Sequence, residues 1–148
     1  MKSWDMGWLG MLLLIVAPLP AAAELNMVEG HWETIVQVQM KGGNFPIPAI
    51  KSSRCLTRDD PIPNAQSNMR CQIKDRAVTG NDVSWRIECG DDQATMTGAG
   101  KVTYAGETFS GAMDMLVSKV GGDETMQIKY TLRGNRVRAC AAAPARPK

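Results

Sequence analysis

Histidine is almost missing from this chain: His31 is the only one in 148 residues, and aromatic residues make up 5%. A lone histidine removes the usual zinc ligand sets and most acid–base dyads. No Cys-x-x-Cys occurs, so a thioredoxin-like redox pair is excluded. Gly-x-Ser-x-Gly and phosphate-cradling glycine loops are also absent, which removes two common routes to hydrolysis and nucleotide binding. The net charge is only +2 and is spread along the chain, so no basic patch for nucleic acid is expected.

The one apolar run, "WLGMLLLIVAPLP", lies at the start. It follows Lys2, is broken by Pro18, and leads to Ala21 and Ala23, the two small positions that a signal peptidase reads. The run is shorter than the roughly 20 apolar residues that a spanning helix needs. Residues 1–23 are therefore predicted to be a signal peptide cleaved after Ala23. No cysteine follows the cleavage point, which argues against a lipoprotein anchor. The expected product starts at Glu24 and is periplasmic or secreted, with no stable membrane insertion once the leader is gone. Residues 24–140 suffice for a single domain with one core. The last residues, 141–148, "AAAPARPK", have no apolar periodicity and are expected to form a flexible tail.

Cys55, Cys71, Cys89 and Cys140 all follow the leader. An even count in an oxidising compartment points to disulfides. Between Cys71 and Cys89, Ile73, Ala77, Val83, Trp85 and Ile87 share the odd positions with both cysteines, and only Val78 does not. Alternation with period two marks a strand with one buried face. A three-residue turn at Thr79-Gly80-Asn81 sets Val83 opposite Ala77, Ile87 opposite Ile73 and Cys89 opposite Cys71. A two-residue Gly80-Asn81 turn sets Ile87 against Lys74 and exposes the apolar set, so the first register is preferred. Opposed residues have Cβ atoms within about 5.5 Å, close enough for a cross-strand disulfide. Cys71–Cys89 is the expected staple and Cys55–Cys140 follows by elimination. The competing pair is Cys55–Cys71, bracketing "LTRDDPIPNAQSNMR".

The same grammar recurs along the chain. "HWETIVQVQM" alternates Trp32, Thr34, Val36, Val38 and Met40, and "IPAIKSSRC" is a further strand. "ATMTGAGKVTY" carries Met96, Gly98, Gly100, Val102 and Tyr104 on one face; "TFSGAMDMLV" answers with Phe109, Gly111, Met113, Met115 and Val117. "ETMQIKYTL" supplies Met126, Ile128, Tyr130 and Leu132, and "RVRAC" closes the chain. Tyr104 opposite Phe109 places Gly100 against Met113 and Gly98 against Met115. Val117 opposite Met126 places Met115 against Ile128 and Met113 against Tyr130. Glycine facing a large side chain lets a curved sheet fill its interior. The expectation is an all-β domain of seven or eight antiparallel strands in an up-and-down meander, closed as a lipocalin-like barrel or left as a curled half-barrel.

Trp32-Glu33, Cys55-Leu56-Thr57, the Val-Ser-Trp-x-x-x-Cys run from Val83 to Cys89, "MTGAGKVTY", "FSGAMDM" and Cys140 occur in an order that resembles the small exported bacterial proteins grouped as domain of unknown function three-six-one-seven. The likeness spans nearly the whole chain after the leader. Glu29-Gly30 stands where that family usually has Pro-Gly, and Arg138-Ala139 where it has Gly-Asp. The resemblance implies export, disulfides and β architecture, and supplies no catalytic residue.

Met96, Met113, Met115 and Met126 fall on one face with Trp32, Trp85 and Tyr130. Those seven are the candidate ligand-binding residues, because thioether chains adapt to irregular apolar shapes. Capture of Cu(I) by Met113-Asp114-Met115 is a weaker alternative, and ordinary core filling competes with both. His31 and Glu33 share the solvent face, while Asp59-Asp60 and Asp91-Asp92 read as turn residues. No cofactor, metal or catalytic residue is expected. The functional expectation is a non-enzymatic domain holding a small apolar or amphipathic molecule, entered past Phe45 and the "GGNFPIP" loop. The alternative is a structural or protein-interaction module of the cell envelope with a filled core.

Overall fold

Each alternating segment of the sequence becomes one strand, and no helix occurs among the described residues. The structure is a computed structural model that describes residues 24–43, 46–63 and 70–141. The predicted leader (1–23), Phe45 and all but the first residue of the predicted tail lie outside them. The strands are β1 (Gly30–Met40), β2 (Ile50–Leu56), β3 (Arg70–Thr79), β4 (Asp82–Gly90), β5 (Ala94–Ala105), β6 (Thr108–Lys119) and β7 (Thr125–Arg138). All belong to one antiparallel sheet in the order β2-β1-β7-β6-β5-β4-β3. The last strand thus returns to the first, and the sheet curls into a half-barrel whose free edges are β2 and β3.

The registers around β5, β6 and β7 are those the apolar pattern requires. Tyr104 pairs with Phe109, Gly98 with Met115 and Gly100 with Met113; Met113 pairs with Tyr130 and Val117 with Met126. At the stapled hairpin the outcome is more instructive. Cys71 does oppose Cys89 and Ile73 does oppose Ile87, yet the turn is the two-residue Gly80-Asn81 one, with Thr79 opposite Asp82 and Val78 opposite Val83. A bulge between Lys74 and Ala77 absorbs the one-residue slip, and Asp75 there has φ 50°. Gly80, at φ 59°, takes the first turn position, where a side chain would be strained. The expected pairing of Ala77 with Val83 is therefore replaced by Val78 with Val83. Ile73 and Ala77, expected on the buried face, are exposed, because β3 is an edge strand of the sheet.

The cysteines are bonded Cys71–Cys89 and Cys55–Cys140, with Cα separations of 4.0 and 5.5 Å. The second bond crosses β1, tying the edge strand β2 to the chain just after β7. Between the free edges runs residues 57–63, which begin with reciprocal backbone bonds between Thr57 and Asp60. Pro61, Ile62 and Pro63 are buried there, and the Tyr104 hydroxyl donates to the Pro61 carbonyl. Arg54 of β2 pairs with Asp60, and Arg76 of β3 donates to the Asp59 carbonyl, so this strap is held from both sides of the opening.

The N-terminal segment closes one end. Leu25 and Met27 enter the core, and Met27 bridges to Gly106 in the β5–β6 turn. The Val28 amide donates to the Gly106 carbonyl, Gly106 donates to the Asn26 carbonyl, and Arg136 donates to the Glu29 carbonyl at 2.8 Å.

Candidate functional site

Side chains of paired residues stand side by side, so the concave face is a stack of rows crossing the sheet. At the closed end the row is Thr34–Gly134–Phe109–Tyr104, with Trp32 just beyond it. Ring centroids in the Trp32, Tyr104 and Phe109 cluster are 5.3 to 5.6 Å apart, the spacing at which edge-to-face and tilted pairs attract. The Phe109 ring occupies the space that a side chain on Gly134 would need. In the next row Val36, Leu132, Val102 and Val83 are buried, while the edge-strand residues that continue it, Ile50 on β2 and Val78 on β3, are exposed. Burial pushes the Tyr104 hydroxyl far above its ordinary pKa, which keeps it a neutral donor to Pro61.

Toward the other end burial is uneven from row to row. Val38–Tyr130–Met113–Gly100–Trp85 comes first, and its middle residues are half-buried. Trp85, on β4, fills the room above Gly100. Desolvation raises the Tyr130 hydroxyl as well. Then comes Met40–Ile128–Met115–Gly98–Ile87–Ile73, buried in the middle and 39% and 38% exposed at its ends. The last apolar row is Met126–Val117–Met96–Cys89–Cys71, in which Met126 is 48% exposed. Lys119, paired with Ala94, stands at the rim.

A hollow of about 770 Å³ lies at this rim, bordered by Lys41, Val117, Lys119, Glu124, Met126 and Gln127 among others. A second, of about 590 Å³, shares Lys41 and Gln127 and extends over Gln39, Thr97, Asp114, Leu116 and Lys129, which by register point to the convex side.

The seven sequence-predicted residues all stand on the concave face, but the structure divides them. Trp32 is fully buried at the closed end, its indole N–H without a hydrogen-bond partner among the described residues, and Trp85 and Met115 are buried core. Met96, Met113 and Tyr130 pack half-buried against the core, and Met126 reaches solvent. Met40, Ile73, Val117 and Lys119 share the open end and were not in that set. Met40 sits in the β1 alternation, which could have found it; a rim lysine carries no sequence signal.

The other candidate groups have local roles. The convex-face His31 and Glu33 pair in register with Cys55 and Ser53. The Asp91 carboxylate accepts from the Ala94 and Gln93 amides, which hold its pKa below the usual range. Lys101 first and then Thr103 do the same for Asp82. Among the described residues no group of three His, Cys, Asp or Glu could hold a metal ion, and no helix is long and apolar enough to cross a membrane.

Comparison with curated proteins and with solved structures found no match. The sequence model of the family described as "Protein of unknown function (DUF3617)" matches residues 27–140, and the chain belongs to that family.

Proposed function

We propose that this is an exported binding domain, periplasmic or secreted, which holds a small apolar or amphipathic molecule at the open end of its half-barrel without catalysing a reaction. The observation that carries the reading is the exposed apolar surface that continues the core face to the open rim. The apolar rows continue to the rim, and their outer members, Met40, Ile73 and Met126, stay exposed. Exposed apolar side chains that continue a core face are a common mark of a ligand or partner site. Methionines at Met96, Met113 and Met126 offer a surface that adapts to shape. Two disulfides with no free thiol suit an oxidising compartment. Non-catalytic binding fits carboxylates that are occupied as turn caps or paired with arginine and lysine.

A second reading, a protein-interaction module, is favoured by one feature. The β2 edge pairs without a bulge along its whole length, while the β3 edge is bulged and charged, so β2 is the better template for an added strand. Native mass spectrometry of the protein purified from its own host, compared with its denatured mass, separates the two. An added small mass that leaves on denaturation is the expected result. A bare or protein-bound mass overturns the ligand reading in favour of the second.

A further inference from the structure

Charge on the concave face is one-sided. At its paired positions no Asp or Glu occurs in any strand, and the cations there are Arg54, Arg136 and Lys119. Arg54 and Arg136, near the closed end, are each paired, with Asp60 and Glu107. Lys119, at the open rim, has no ion pair among the described residues. Lys41 borders the same hollow from the convex side, opposite Gln127, and among the described residues its ammonium has no ion pair and donates to the neutral Gln127 side chain at 3.3 Å. Glu124 is the one carboxylate on that border, and it comes from the β6–β7 turn rather than from the sheet. Immediately inside Lys119 lies the apolar row of Met126, Val117 and Met96, and below it Ile128 and Met115. The order from rim to floor is therefore cation, then thioether and alkyl surface.

We propose that the molecule held at this open end is an amphiphile with an anionic headgroup, such as a long-chain carboxylate, its head between Lys119 and Lys41 and its tail over Met126, Val117 and Met96. This rests on the binding reading above and adds the sign of the headgroup. Uncompensated ammonium groups beside an apolar floor favour an anion over a neutral or cationic head of equal tail length, because the tail contributes the same burial in each case.

Titration calorimetry of the full chain after leader removal tests it with three probes of one tail length, each below its critical micelle concentration: laurate, dodecanol and dodecyltrimethylammonium. Laurate is expected to bind about fivefold tighter than dodecanol, the scale of one exposed charge contact, and the ammonium probe most weakly. In a Lys119→Gln, Lys41→Gln double variant, laurate is expected to fall to the affinity of dodecanol. Both lysines are exposed and outside the core, so the fold provides no obstacle to that comparison. Equal binding of the three probes leaves the site standing and overturns the headgroup. A laurate advantage that survives in the double variant overturns the assignment to these lysines. Failure of all three to bind overturns the binding reading itself.

Discussion

The two ends of the concave face are built from the same strands and do opposite things. At the closed end Trp32, Tyr104 and Phe109 interlock, Gly134 yields its space to a ring, and residues 24–29 lie across the opening. At the open end the rows are methionine and β-branched or aliphatic chains, and the last of them ends at Met126, which is half exposed. The difference lies in side-chain size and in what covers it, since the backbone pairing continues unbroken through β5, β6 and β7. One end thus stabilises the domain, which leaves the other free to stay incompletely filled.

Each end also has its own covalent tie. Cys55–Cys140 lies toward the closed end and joins residues 85 apart in sequence, whereas Cys71–Cys89 lies at the open end and joins residues 18 apart. In the chain-entropy model the long loop contributes about 4.6 kcal/mol and the short one about 3.2 kcal/mol. Urea unfolding of Cys55→Ser/Cys140→Ser is expected to show the larger loss, and Cys71→Ser/Cys89→Ser the smaller. The reverse order would mean that β3, although an edge, carries more of the fold than the closed end does.

Side-chain truncation sharpens the same contrast. Trp32→Ala empties the aromatic cluster and is expected to cost about 4 kcal/mol, as large-to-small changes in a closed core do. Met126→Ala, at 48% exposure, is expected to cost about 1 kcal/mol or less. Thermal or urea unfolding of both reads the difference. In the calorimetric titration Met126→Ala is the one expected to weaken laurate, and Trp32→Ala to leave its enthalpy of binding untouched as long as the fold holds. Similar stability costs at both sites would mean that the open end is as closed as the other.

How much of this was legible in the sequence depends on the signal involved. Period-two alternation decides which side chains share a face, so the rows through β5, β6 and β7 could be written down from Tyr104, Phe109 and Met126 alone. The hairpin shows the limit. A three-residue turn and a two-residue turn with a bulge both bring Cys71 opposite Cys89, and nothing in "KDRAV" announces that Asp75 adopts φ 50°. The gap between β2 and β3 was illegible for a different reason. Burial of Pro61 and Ile62 depends on Tyr104 and Arg76, residues distant in sequence, as well as on Arg54, so "DDPIPN" showed only the turn at Asp59-Asp60. Leu25 and Met27 carry no periodicity and gave no sign that the segment before β1 closes one end. At the site, the methionines were found by alternation, but whether a row lies at the filled or the open end is set by strand stagger and coverage, which composition does not encode.

The turns at the two ends differ in how they hold a carboxylate, and acid separates them with the smallest effect. Asp82 opens β4 at the closed end and is held low by Lys101 and Thr103; Asp91 follows β4 at the open end and is held low by the Ala94 and Gln93 amides. A carboxyl whose pKa is lower folded than unfolded contributes stability above its unfolded value of 3.8, and that contribution is lost as pH falls through the folded pKa. Melting temperature is therefore expected to fall between about pH 5 and pH 2, less steeply in Asp82→Asn and in Asp91→Asn than in the native chain. Salt distinguishes the ends. The Asp82 share depends on an exposed ammonium and is expected to shrink at high ionic strength, whereas the Asp91 share depends on neutral amides 2.8 Å away and is expected to persist. Equal salt sensitivity of the two variants would place a cation beside Asp91 in solution, and the open end would then carry more positive charge than Lys41 and Lys119 alone supply.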